Sequence, residues 1–269
     1  MKTKIKTIIL DWAGTTVDFG SFAPVEAFMT AFAAYGLNPT ADETRAPMGL
    51  AKRTHVKMML EGERLSQAWI AKYGKPHTEA DIDAIYEKFE PALFGVLKNY
   101  ANPLPNVLDA VTQIREMGIK IGSTTGYTKQ MMDIVVPLAK ENGYAPDYLV
   151  CPEDVAGKGR PYPYMIWRNL EALGCSNIGE VLKIGDTEAD MQEGKAAGCL
   201  CVGVIIGSSV LGLSEHELAS LDYSQNNSQN NSQKEELFKA AKQRYFASGA
   251  DFVIESIAEL PKFIAVIGG

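Results

Sequence analysis

The chain has 269 residues, 46% of them hydrophobic and 22% charged, with a formal net charge of −7 and an isoelectric point near 5.1. That length allows one large domain or a core with a smaller insertion. The composition excludes a disordered chain or a disulfide scaffold, and the acidic balance lacks the basic field that a nucleic-acid partner requires. Cys151, Cys175, Cys199 and Cys201 have no paired metal spacing and read as buried free thiols. With no N-terminal signal and no apolar run of about 18 residues, the expectation is a cytoplasmic protein with no membrane partner.

From Lys4 to Leu10 the sequence reads as a strand, and Ile8-Ile9-Leu10 suits one buried on both faces of a parallel sheet. Asp11 then falls at its carboxyl end, the edge where open parallel sheets bind ligands. Between about Phe22 and Asn99 the periodicity is helical. Phe28, Phe32 and Tyr35 share one face, and further segments run over Met48–Leu60, Leu65–Tyr73 and Ala80–Lys98. Phe28, Phe32 and Tyr35 suit either the core of that block or a face for a second copy. The block reads as a helical cap inserted after the first strand, with linkers near residues 18–23 and 100–105.

After Asn106 strand and helix alternate. Strands are predicted at Lys120–Thr124, Tyr148–Cys151, Val181–Ile184, Cys201–Ile205 and Asp251–Ile254, with helices between them ending in Lys234–Ala247. This rhythm predicts an α/β fold with a Rossmann-like parallel sheet core. Residues 1–20 and 101–269 form the expected core and 21–100 the expected cap. The repeat Ser224 to Gln233, rich in Gln and Asn, reads as a solvated loop.

Four strand ends carry polar groups that make chemical sense together. The first offers Asp11 followed by Gly14, Thr15 and Thr16, and the second Thr124-Thr125-Gly126-Tyr127 before a helix N-terminus, an arrangement suited to a phosphate. The loop after the third strand brings Arg160, a permanently charged fork for a phosphoryl group. The fourth brings Asp186 and Asp190, four residues apart at a helix start. Three carboxylates gathered at one edge raise one another's pKa unless a cation neutralises them. Mg²⁺ fits, because it prefers oxygen ligands and bridges carboxylate to phosphoryl oxygen. A carboxylate nucleophile, a metal, a hydroxyl and a cationic clamp are the parts that displacement at phosphorus through an aspartyl-phosphate requires.

Asp11-Trp12-Ala13-Gly14-Thr15-Thr16-Val17-Asp18, Ser123-Thr124-Thr125-Gly126-Tyr127 and Gly185-Asp186-Thr187-Glu188-Ala189-Asp190 resemble the signature motifs of the haloacid dehalogenase superfamily of phosphohydrolases, and the helical insertion resembles its cap. One departure is informative. Most phosphatases of that superfamily place a general acid two residues after the nucleophile, and here that position is Ala13. A leaving group that does not depart as an alkoxide is therefore favoured. Ala13 together with Pro47-Met48-Gly49-Leu50-Ala51-Lys52 and Gly159-Arg160-Pro161-Tyr162-Pro163 resembles the phosphonoacetaldehyde hydrolase family, or phosphonatases.

That resemblance implies Mg²⁺-dependent cleavage of a carbon–phosphorus bond, with Lys52 forming a Schiff base to a phosphonate aldehyde and Asp11 accepting the phosphoryl group. It implies Asp11, the Ala13 carbonyl and Asp186 as metal ligands and Asp190 as support for the metal site. Thr125, Gly126 and Arg160 are the implied phosphate binders. Tyr127 is expected at the core–cap boundary, and a homodimer through the cap is the expected assembly. Where family members commonly carry a cysteine in the linker, this chain has Ser21.

Lys52 must be neutral to attack an aldehyde, so its pKa must be lowered by burial or a neighbouring charge. Met48, Lys52 and His55 are expected on one helix face, with His55 carrying protons. The competing expectations are a phosphomonoesterase or phosphosugar mutase of the same superfamily, which Ala13 opposes, and a silent ligand-binding protein, which the joint presence of Asp11, Thr125, Arg160, Asp186 and Asp190 opposes.

Overall fold

The structure, a computed structural model, describes residues 4–222 and 228–268. In chain order the elements are β1 (Thr7–Leu10), α1 (Phe22–Ala34), α2 (Ala41–Arg45), α3 (Lys52–Glu61), α4 (Glu63–Tyr73), α5 (Glu79–Val96), α6 (Val107–Glu116), β2 (Lys120–Thr124), α7 (Lys129–Glu141), β3 (Tyr148–Val150), α8 (Tyr164–Leu173), β4 (Val181–Gly185), α9 (Glu188–Ala197), β5 (Leu200–Val204), α10 (Glu215–Asp222), α11 (Ser228–Ala247), β6 (Phe252–Ile254) and α12 (Leu260–Gly268). All neighbouring strands pair in parallel, in the order β3-β2-β1-β4-β5-β6. β1 is central and its four residues are all buried, as the unbroken apolar run requires of a strand covered on both faces. Chain order reverses direction on either side of β1, so the carboxyl ends of β1, β2 and β4 open onto one crevice.

Helices α1 to α5 are inserted between β1 and β2 and pack on one another, with α1 against α5 and α3 against α5 and α4. Phe28 is fully buried and stacks on Phe89 at 4.1 Å and on the His55 ring at 3.8 Å, and Phe32 is fully buried as well. Both are therefore interior residues and not part of an exposed face. The two linkers are tied together, since Leu104 N donates to Thr16 O at 2.9 Å and Val17 bridges Pro103. Asp18 and Ser21 adopt left-handed backbone angles, and Asp18 caps α1 by accepting from the amides of Phe22 at 2.9 Å and Ala23 at 3.2 Å. Arg45 secures this turn by donating to Gly20 O at 2.5 Å.

Several elements differ from expectation. The helix expected from Met48 begins only at Lys52, because Ala51 is extended (ψ 137) and Met48 lies in a turn after Pro47. Met48 therefore does not share a helix face with Lys52 and His55. The expected loop at residues 224–233 divides: 224–227 lie outside the described residues, whereas from Ser228 onward the chain belongs to α11. Cys151, Cys199 and Cys201 are buried thiols, but Cys175 is only half-buried. No helix among the described residues is long and apolar enough to cross a membrane.

Candidate active site

Three core turns converge beyond β1, β2 and β4. After β1, the chain turns tightly, with Thr15, Thr16 and Val17 all donating amides toward Trp12 O. Gly14 is needed in this turn: its φ is +87°, and a Cβ there would lie 2.2 Å from Asp186 Oδ2. After β4, Thr187 caps α9, accepting from Asp190 N at 3.1 Å while Asp190 Oδ2 accepts from Thr187 N at 3.1 Å. This reciprocal capping box holds Asp190 rigidly at the first turn. Asp186, one residue before the cap, is held by Thr15 Oγ1 at 3.0 Å and Ser209 N at 2.8 Å.

Carboxylate oxygens of Asp11, Asp186 and Asp190 all lie within 4.8 Å of one another. Burial, reinforced by the charges of Asp11 and then Asp190, pushes the Asp186 carboxyl well above the usual carboxylate range. Asp190 behaves oppositely. Burial disfavours its charge, but Arg160 at 3.0 Å and Lys183 at 2.7 Å outweigh that and hold its pKa below the ordinary value. Asp11, Asp186 and Asp190 together could hold a hard divalent cation, and of the three Asp190 is the one already paired with both Arg160 and Lys183.

Arg160 is fully buried. Its Nη2 donates to Asp11 Oδ1 at 2.6 Å and to Thr124 O at 2.9 Å, and its Nη1 to Gly49 O of the cap loop at 3.3 Å. It thus touches Asp11 and the loop before α3 together. Burial opposes its charge, yet Asp11, Asp190 and Glu193 keep it firmly protonated.

A small cavity of about 20 Å³ is lined from the sheet side by Asp11, Ala13, Thr125, Gly126, Tyr127, Arg160 and Thr187, and from the linker and inserted helical block by Ser21, Met48, Gly49 and Lys52. That space suffices for about one water. Gly126 packs directly against the loop that precedes α3. A Cβ on it would lie 2.6 Å from Leu50 O and 2.8 Å from Gly49 O. Gly126→Ala is expected to keep the fold yet lower kcat/KM about 100-fold by displacing the cap loop; thermal unfolding and steady-state kinetics check this.

Lys52 is the first residue of α3 and only 4% exposed. Burial pulls its pKa down from the ordinary 10.5 to about 8, against the Asp11 charge and with help from Arg160. Its position at a helix N-terminus also disfavours an ammonium. The amine lies 4.8 Å from the centroid of the Tyr127 ring. His55 does not line the cavity. It sits behind Lys52, with Nε2 2.8 Å from Thr44 O. Because a carbonyl only accepts, Nε2 carries the proton. Nδ1 has no hydrogen-bond partner among the described residues. Burial, then the Lys52 charge, holds His55 well below its ordinary pKa, so it is neutral.

Sequence reasoning missed Lys183, Glu193 and the Ser209 amide, and it named Thr15 at the strand end without its partner Asp186. Lys183 had a signal: a lysine inside the strand Val181–Gly185 is fully buried, and a buried lysine demands carboxylate partners. The Ser209 amide had none, because a backbone donor leaves no mark on residue type.

A central carboxylate at a parallel-sheet edge, a buried arginine beside it and a helical insertion packed over both define an α/β hydrolase of the haloacid dehalogenase-like class. The profile of haloacid dehalogenase-like hydrolases matches residues 5–198. The chain is 48% identical over 264 residues to the phosphonoacetaldehyde hydrolase of Bacillus cytotoxicus, covering 98% of this chain and 97% of that one. It is also 44% identical over 267 residues to the bifunctional phosphonoacetaldehyde hydrolase/aminoethylphosphonate transaminase of Clostridioides difficile, covering 98% of this chain but 40% of the longer relative. A crystal structure of a phosphonoacetaldehyde hydrolase-like protein from Oleispira antarctica superposes with a TM-score of 0.91 at 34% identity, covering 99% of this chain and 94% of that one. The chain therefore belongs to the haloacid dehalogenase superfamily and, within it, to the phosphonoacetaldehyde hydrolase family.

Proposed function

We propose that this protein hydrolyses phosphonoacetaldehyde to acetaldehyde and orthophosphate. One observation carries the reading: Lys52 from the cap and Asp11 and Arg160 from the core line a single small cavity, so an amine and a carboxylate face the two ends of one small substrate. The names of the relatives agree with it.

The division of labour follows from the residues. Core residues 1–20 and 101–269 and cap residues 21–100 part for substrate to enter, and closure seats the loop at Gly49 on Gly126. Arg160, Thr125 and the Gly126 backbone hold the phosphoryl oxygens. The neutral Lys52 amine adds to the aldehyde, and loss of water gives an iminium. The neutral His55 imidazole, expected from the sequence to carry protons, lies outside the cavity and packs on Phe28 behind Lys52, while Met48 and Tyr127 enclose the imine. Asp11 then attacks phosphorus. The electron pair of the breaking carbon–phosphorus bond moves onto carbon and neutralises the iminium as an enamine, so position 13 needs no acid. Protonation at carbon regenerates an imine, and water cleaves both the imine and the aspartyl-phosphate.

Asp11, the Ala13 carbonyl and Asp186 are the residues that would hold Mg²⁺, with Asp190 in support. When bound, the ion supplies positive charge for the phosphoryl oxygens and for the crowded carboxylates. We further propose a cytoplasmic homodimer that pairs through the cap; light scattering tests the assembly. The activity is tested by following orthophosphate release from phosphonoacetaldehyde with and without Mg²⁺. Metal-dependent release is expected, whereas release from sugar phosphates in its place would favour the phosphomonoesterase alternative.

The sign of the pH dependence follows from Lys52. Below its pKa of about 8 the amine is an ammonium and cannot attack. The reaction should therefore slow by about tenfold per pH unit as pH falls below that value and level off above it. A kcat/KM profile checks this, and a flat profile across the same range contradicts it.

A further inference from the structure

Glu193 lies on α9, one turn beyond Asp190, and its side chain is wholly buried, where an apolar residue is the ordinary occupant. Its Oε2 accepts from Arg160 Nε at 3.0 Å and from Thr124 Oγ1 at 2.9 Å, and stands 3.3 Å from Lys183 Nζ. The Thr124 hydroxyl gives its one proton to Glu193 and in turn accepts from Arg160 Nη2 at 3.0 Å and Lys183 Nζ at 2.9 Å. Glu193 Oε1 has no hydrogen-bond partner among the described residues. Keeping a buried carboxylate with one bare oxygen costs stability, so what Oε2 holds is the feature to explain.

We propose that Glu193, with Thr124 as its relay, is a positioning residue that fixes the plane of the Arg160 guanidinium and keeps its Nη edge turned toward the phosphoryl site. The inference rests on the reading of Asp11 and Arg160 as a phosphoryl-transfer centre. A guanidinium offers five N–H groups in a rigid fork. With Nε anchored by Glu193, only the Nη edge faces Asp11 and an incoming anion. Without that anchor the fork keeps its Nη contacts to Asp11, Thr124 and Gly49 but loses the hold on Nε that sets its tilt, and it can turn to pair with Asp11 through two nitrogens, which occupies the nucleophile and removes donors from the anion. Neither cation is left unpaired by loss of Glu193, because Arg160 keeps Asp11 and Asp190 and Lys183 keeps Asp190.

The test compares the full-length wild type, Glu193→Gln and Glu193→Asp, all with Mg²⁺. Two readouts are followed: inhibition by orthophosphate, which reports the anion end, and borohydride trapping with acetaldehyde, which carries no phosphoryl group and reports Lys52 alone. Glu193→Gln is expected to raise the orthophosphate inhibition constant about tenfold and leave acetaldehyde trapping unchanged, with Glu193→Asp recovering part of the loss. An unchanged inhibition constant, or trapping that declines in parallel with it, overturns the proposal. If Glu193→Gln does not accumulate as folded protein, Thr124→Val removes the relay hydroxyl and carries the same expected and contrary results. Failure of the wild type itself to release phosphate or to trap aldehyde overturns the underlying reading, and this proposal with it.

Discussion

Lys52→Arg is expected to lower turnover of phosphonoacetaldehyde by at least about 10⁴-fold, the scale on which removal of a covalent catalytic group acts. Arginine keeps a cation and a long stem at the start of α3, but a guanidinium does not lose its proton in a protein and cannot form an imine. Lys52 is buried and already pays for its desolvation with a pKa of about 8. The guanidinium cannot shed its charge as the amine can, so the variant should fold with a lower melting temperature, the Asp11 charge partly offsetting the neighbouring Arg160. Circular dichroism and thermal unfolding check that point, and orthophosphate inhibition should survive because Arg160, Thr125 and Gly126 are untouched. A variant that retains turnover would show that the amine is not the electrophile-activating group.

Asp11→Asn is expected to abolish phosphate release to a similar extent, at least about 10⁴-fold, for a different reason. The amide is a poor nucleophile and a poor metal ligand, and it removes the charge that Arg160 Nη2 contacts at 2.6 Å. Arg160 still has Asp190 and Glu193, so the buried guanidinium is not stranded. Imine formation at Lys52 should persist, since the aldehyde end does not need the carboxylate. Phosphate assays together with borohydride trapping on the same variant separate the two halves of the reaction: no release, but continued capture. Loss of trapping as well would mean that the two ends cannot be assigned to separate residues.

The sheet was legible because each core strand is a short apolar run that ends in a polar turn. Ile8-Ile9-Leu10 before Asp11 and Val181–Ile184 before Gly185-Asp186 placed the strand ends, and the structure brings Asp11, Asp186 and Asp190 together there. The helices α2, α10 and α12 were not legible. α2 is one turn long and stands on its Thr40 capping box, while α12 reads Leu-Pro-Lys-Phe-Ile-Ala-Val-Ile-Gly, with too few polar residues to mark a helical period. Met48 was misplaced because periodicity ran through Pro47–Ala51, where backbone geometry stops the helix.

At the site, residue types that act through side chains in motifs could be found, whereas Glu193 emerged only once its three-dimensional partners were visible. Its importance lies in what it holds, Arg160 at 3.0 Å. Nothing in an acidic residue on α9 distinguishes a buried anchor from a solvated one until the facing strand is in place.

The most direct test of the central claim is borohydride reduction of the enzyme in the presence of phosphonoacetaldehyde and Mg²⁺, followed by peptide mapping of the adduct by mass spectrometry. The account predicts an ethyl group on Lys52 in the wild type, because carbon–phosphorus cleavage precedes release of the imine, and a phosphonoethyl group on Lys52 in Asp11→Asn, where cleavage is blocked. An unmodified Lys52 in an enzyme that still releases orthophosphate from phosphonoacetaldehyde would contradict it.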